Sequence, residues 1–177
     1  MKKVLIATGA VLAIAALAAI AVNFVSEKEA DEFYAVKLCS DMTKQMMKSP
    51  ASYRMANFSY KIDEIPSYRM TEKMNNMSDS LKESVKAGHV KYDTQEVFIN
   101  YEAKNPMGVE LSGSAICNFE RSYGYDSDRV RTAEPYYFQI NNEAASEDVR
   151  LYASTMAEKR PGTYERKINY LINKIFN

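Results

Sequence analysis

The chain has 177 residues, 46% of them apolar, which suffices for one ordinary domain plus an appendage. Its 23 basic and 23 acidic side chains balance, and without a basic stripe this charge argues against nucleic acid as a partner, because phosphate binding needs accumulated positive charge. Two cysteines, one histidine and no tryptophan leave little material for metal or nucleophile chemistry, and no cofactor is expected.

Met1-Lys2-Lys3 precedes Val4 to Val25, 22 residues without a charge and polar only at Thr8 and Asn23. As a helix this run measures about 33 Å, against a hydrocarbon core of about 30 Å. A cleaved signal peptide has a shorter apolar region ending in small residues. Ala16-Leu17-Ala18 and Ala19-Ile20-Ala21 supply such residues, but the apolar run continues through both. The excess length favours an uncleaved anchor; cleavage to a soluble secreted or periplasmic protein is the alternative. Lys2 and Lys3 place the amino end in the cytoplasm by the positive-inside rule, with Glu27, Glu29, Asp31 and Glu32 on the far side. The expected placement is a single pass through a bacterial inner membrane, with residues 26–177 exported. The part beyond the run has 21 basic against 23 acidic residues, a balance of −2.

From Ser26 to Lys48 the pattern is helical, with Ala35, Leu38, Met42 and Met46 on one stripe and Cys39 at its edge. Ser49-Pro50 ends it, since the residue before proline is driven out of the helical region. Tyr53 to Ile62 turns strand-like, and the change of parity between Met55 and Phe58 predicts a bulge or bend. After Ile65-Pro66, Met70, Met74, Met77, Leu81 and Val85 recur at helical spacing, with Gly88 as the C-terminal stop. This stripe reads first as a helix packed on the sheet. The sharper reading makes Met70, Met74, Met77 and Leu81 an adaptable partner surface, which exposed methionines suit. His89, with no second candidate ligand, reads as structural or exposed.

Val97 to Phe119 carries the firmest local pattern. Val97, Ile99, Tyr101 and Ala103 alternate with polar neighbours going in, and Val109, Leu111, Gly113, Ala115, Cys117 and Phe119 do so coming out. Lys104-Asn105-Pro106-Met107-Gly108 lies between, where Pro106 presets a turn and Asn105 and Gly108 tolerate positive φ. An antiparallel hairpin follows, with Cys117 pointing into the core. Arg121 to Glu134 is polar and reads as a surface loop. Asp126-Ser127-Asp128 has the opening spacing of a calcium loop without the rest of its ligands. Pro135 to Ile140 is a candidate strand. Two helices close the chain. Ser146-Glu147-Asp148 caps the first, whose stripe is Ala145, Val149, Tyr152 and Met156. Thr163 caps the second, which docks through Tyr164, Ile168, Leu171 and Ile175, widened by Ile172 and Phe176.

Export permits Cys39 and Cys117 to bond. In the chain-entropy model a loop of this length is worth about 4.5 kcal/mol. Neither cysteine has a basic neighbour in sequence to activate it as a nucleophile, so the pair reads as structural.

Cys39, then Met47-Lys48-Ser49-Pro50-Ala51-Ser52-Tyr53, then Ile99 to Gly108 (INYEAKNPMG), then Cys117-Asn118-Phe119 resemble a small domain that recurs in exported, lipid-anchored or membrane-tethered bacterial proteins. The resemblance covers about residues 33–120. Glu102 stands where the pattern usually has Asp, and the Met-rich segment between Ile65 and Gly88 looks like an insertion. The likeness implies a helix packed on an antiparallel sheet and carries no activity.

The expected fold is α+β: a transmembrane segment over 1–25, then one domain over 26–177 with a Met-rich helical insertion at 65–88. Its antiparallel sheet of three or four strands is packed by an N-terminal helix and two C-terminal helices. The expected function is a non-enzymatic, membrane-anchored envelope protein that binds or scaffolds a protein partner. A hydrolytic enzyme would draw on Glu102 and Glu110 near the hairpin turn, with Tyr101 or Tyr125. A pilin-like subunit ranks lowest, since the apolar run has no acidic residue and no pilin processing site opens it.

Overall fold

A computed structural model describes residues 21–47, 49–124, 130–145, 151, 155 and 161–176. Five antiparallel strands pair in chain order: β1 (Arg54–Glu64), β2 (Val90–Lys104), β3 (Glu110–Gly124), β4 (Val130–Ile140) and β5 (Glu143–Ala144). The described helices are α1 (Glu27–Gln45), α2 (Ser67–Asn76), α3 (Asp79–Lys86) and α4 (Thr163–Phe176). The fold is therefore α+β. Residues 1–20 of the expected membrane segment lie outside the described residues. Among those described, no helix is long and apolar enough to cross a membrane.

The hairpin forms with Val97 opposite Cys117 and Ile99 opposite Ala115. Residues directly opposite share a face, so Val97, Ile99, Tyr101 and Ala103 join Ala115, Cys117 and Phe119 on one buried surface. The helix α1 lies on that surface with Leu38, Cys39 and Met42 fully buried, and the Cys39–Cys117 disulfide ties it to β3 across a Cα–Cα distance of 5.8 Å. Ser26 begins α1 with a reciprocal capping box: its hydroxyl accepts from Glu29 N at 3.0 Å, and its own N–H donates to Glu29 Oε2. The predicted bulge in β1 appears as a register shift between Met55 and Asn57. Gly88, at φ +75°, stops α3, with the His89 N–H reaching back to Ser84 O at 2.8 Å.

Four expectations need correction. The sheet has five strands rather than three or four, because the two-residue β5 is too short to show alternation. The turn before it is signalled by Asn141-Asn142, both at positive φ. The polar stretch expected as a loop is mostly strand: Arg121 to Gly124 extends β3, and Val130 to Glu134 opens β4. Polarity misled there because Arg121 faces inward on a buried ion pair. The Met-rich stripe divides into two helices at Met77, where Ser78 caps α3. Finally, α4 packs against α1 with only part of the predicted stripe turned inward: Ile168 and Leu171 are half-buried. Arg166 is its buried contact, and Tyr170 meets Phe33 edge-on at 5.8 Å, while Tyr164 and Ile175 stay 55% and 69% exposed. A side chain that carries an ion pair into the interior was invisible to an apolar count. The Asp126-Ser127-Asp128 segment lies outside the described residues. So does the helix expected from Ser146, apart from Leu151 and Thr155, which are helical and exposed.

Candidate functional site

The hairpin turn is locked by Asn105. Its Oδ1 accepts from Met107 N at 2.9 Å and Val109 N at 3.0 Å, and its backbone exchanges hydrogen bonds with Val109 and Gly108. Gly108 takes φ +81°, which a side chain would strain, so the Asn-Pro-x-Gly order follows from the turn itself. Beside it, the short turn Pro50–Ser52 presents the Ser52 hydroxyl to the Lys104 N–H at 2.9 Å. Ser40 on α1 shares a 2.9 Å hydrogen bond with the Tyr53 hydroxyl, whose ring lies 5.7 Å from that of Tyr101. Burial pushes the Tyr53 hydroxyl above its ordinary pKa, outweighing the hydrogen bond from Ser40. Ser52, Tyr53, Tyr101, Asn105 and Gly108, all within the stretches that carry the resemblance, thus converge on one end of the sheet.

Tyr101 reaches across this end. Its hydroxyl accepts from Asn141 Nδ2 at 3.0 Å, and Asn141 Oδ1 accepts from Ser114 N at 3.0 Å. Gly113 makes room: a Cβ there would lie 2.4 Å from the Tyr101 hydroxyl oxygen and 2.5 Å from Asn141 Oδ1. Gly113→Ala is therefore expected to break the Tyr101–Asn141 hydrogen bond and cost about 1–3 kcal/mol in urea unfolding. An unchanged midpoint would show that the ring yields freely.

Under the turn lies an open groove of about 540 Å³, lined chiefly by Met46, Met47, Tyr101, Leu111, Ile140 and Asn141, with Asn105 and Pro106 at its rim. Met107, Val109 and Leu111 stand exposed on the adjoining hairpin tip. No family model, curated protein or solved structure matches this chain. The groove must be read on its own chemistry: apolar walls, two backbone turns and a few amide groups suit an apolar peptide or side chain.

The opposite end of the inner face is ionic. Arg121 donates to both carboxylate oxygens of Asp93, at 2.6 and 2.5 Å, and to Gln95 Oε1 at 3.2 Å, while Gln95 Nε2 donates to Glu32 O at 3.0 Å. Tyr60 donates to Glu32 Oε2 at 2.8 Å, and burial followed by that hydrogen bond pushes its hydroxyl up to about 12. A cleft of about 220 Å³ opens beside Lys28, Glu32, Asp93 and Arg121. These charges pair across elements, a supporting role. Asp93, Gln95 and Arg121 keep the odd-numbered phase of the apolar alternation. Opposite charges at in-phase positions were the signal that could have found them. The carboxylates considered for hydrolysis do not gather: Glu102 pairs with Arg54 on the outer face, Glu110 is exposed across from Lys104, and Tyr101 points inward. Tyr125 lies outside the described residues.

Met70, Met74, Met77 and Leu81 are half-buried, neither in the core nor fully open. The helix α2, which carries Met70 and Met74, is held to the outer face of the sheet by charge. Arg69 and Lys73 both pair with the buried Glu120, Lys73 at 2.8 Å, while Arg69 also covers the Tyr136 ring at 4.0 Å. Burial alone would raise the Glu120 carboxyl pKa. The hydrogen bonds from Lys73 and Arg69 outweigh it and hold the group below its ordinary 4.5. A lowered carboxyl pKa contributes stability above the unfolded value and loses it as pH falls through the folded value. The near-UV tyrosine signal of Tyr92 and Tyr136 is accordingly expected to change as pH drops below about 4.5, and Glu120→Gln is expected to abolish that step. An identical acid titration in the variant would assign the step elsewhere.

Proposed function

We propose that this is a membrane-tethered, non-catalytic protein of the bacterial envelope, which folds its α+β domain outside the cytoplasm and offers it to a protein partner. The observation that carries the reading is the Cys39–Cys117 disulfide, buried at the centre of the core between α1 and β3. Such bonds persist in oxidising compartments. The apolar run from Val4 supplies the tether, and the resemblance to exported or tethered domains points the same way. The groove under the hairpin turn, flanked by Met107, Val109 and Leu111, is the contact surface best suited to an apolar segment of the partner.

Fractionation with thiol labelling tests this. The expected result is a protein that stays in the membrane fraction, retains the mass of the full chain, and reacts with maleimide only after reduction. A soluble mature form beginning near Val22 would end the tethered reading. Free thiols in unreduced protein taken from cells would end the exported one.

A further inference from the structure

β1 is an edge strand: it pairs with β2 on one side, and among the described residues no strand pairs with the other. At eleven residues it is long for an unprotected edge, and most of its side chains are exposed. Its register shift lies at the Met55 end, so Asn57 to Glu64 runs regularly and presents backbone donors and acceptors outward.

We propose that this edge is occupied by the β1 strand of a second copy of the chain, antiparallel about a twofold axis at Ser59, joining two sheets into one. The strand is complementary to itself in that register. Phe58 falls opposite Tyr60 of the second copy on the inner face, where both rings are partly open at 37% and 41% exposure. Asn57 falls opposite Lys61 on the outer face. Beyond the bulge, with Ala56 skipped as it is against β2, Met55 meets Ile62 and Arg54 meets Asp63. An aromatic pair, an aliphatic pair and an opposite-charge pair thus repeat on each side of the axis, the cross-strand combinations that stabilise antiparallel sheets. An axis at Lys61 is poorer, since it sets that cation against its own copy. α4 lies toward this edge: its Asn169, Ile172 and Asn173 share a cleft of about 250 Å³ with Met55. Ile172 and Ile175 are exposed on it and extend the apolar surface beside the strand.

The test is register-specific cross-linking of the full chain in its native membranes. With both native cysteines bonded to each other, Ser59→Cys adds a lone thiol that would face its own copy. Under mild oxidation it is expected to give a covalent dimer about tenfold more abundant than Lys61→Cys, whose partner would be Asn57. Sedimentation of the wild-type chain in detergent is expected to give a dimer. Arg54→Glu is expected to raise the dimer dissociation constant about tenfold, and adding Asp63→Arg to restore it. A monomer in sedimentation overturns the proposal. So does a dimer whose cross-linking ignores the position of the thiol, or a Ser59→Cys chain that captures a different protein. All four variants lie on an exposed edge away from the core, and intact Cys39–Cys117 bonding in each verifies folding.

Discussion

Asp31→Ala is expected to destabilise the domain by about 3–5 kcal/mol, because it leaves a buried guanidinium without its counter-charge. The Asp31 carboxylate, on α1, accepts from Arg166 Nε of α4 at 2.6 Å with its Oδ1 and from the Val130 N–H at the start of β4 at 3.0 Å with its Oδ2. Both side chains are buried. One carboxylate therefore clamps three elements that are distant in sequence. Arg166 continues the network to Thr163 Oγ1 and the Pro161 carbonyl, which shapes the start of α4. Urea unfolding followed by circular dichroism checks the loss. The diagnostic variant is Asp31→Leu with Arg166→Met. Replacing a whole buried ion pair by apolar residues is often neutral, so the double variant should recover most of what Asp31→Ala loses. If it is as unstable as the single variant, the Val130 N–H rather than the guanidinium is what Asp31 serves.

Cys39→Ala with Cys117→Ala is expected to cost about 4.5 kcal/mol, the chain-entropy value for a bond closing 78 positions of sequence. Some of this loss comes from the unfolded chain, which regains its freedom, so the native packing of Leu38, Met42 and Phe119 need not change. Unfolding in urea with and without reductant measures it in the wild-type chain. A midpoint that does not move after complete reduction would mean that the packing of α1 on β2 and β3 carries the fold unaided. The bond would then be an accessory to the fold rather than a requirement of its stability.

The parts of the fold that were legible in sequence share one property: neighbours along the chain decide them. Alternation from Val97 to Ala103 and from Ala115 to Phe119 named the inner face, and the parity break after Met55 named the bulge. Asn105 and Gly108 named the turn, and Gly88 named the stop of α3. The candidate site was half legible. Asn105 and Pro106 were identified, but the groove they help shape also needs Met46, Met47 and Asn141, which are remote from the turn in sequence. Arg121 was read as loop and Arg166 passed over, because a charged residue inside a core is recognisable only once its counter-charge is known, and those partners lie 28 and 135 positions away.

By itself, then, the sequence determined the local conformations, the inner face of the hairpin, the two sulfurs that could meet, and a 22-residue uncharged run at its start. Dihedral preference and side-chain period act over a few residues and need no knowledge of the rest. The tertiary structure alone decided that α4 rests on α1, that Glu120 holds the Met-rich helix α2 against the outer face, and that β1 is left as an open edge among the described residues. Those outcomes turn on which buried charge finds which partner and on which strand is last in the sheet. Such properties belong to the assembled chain because burial removes the water that would otherwise satisfy each group alone.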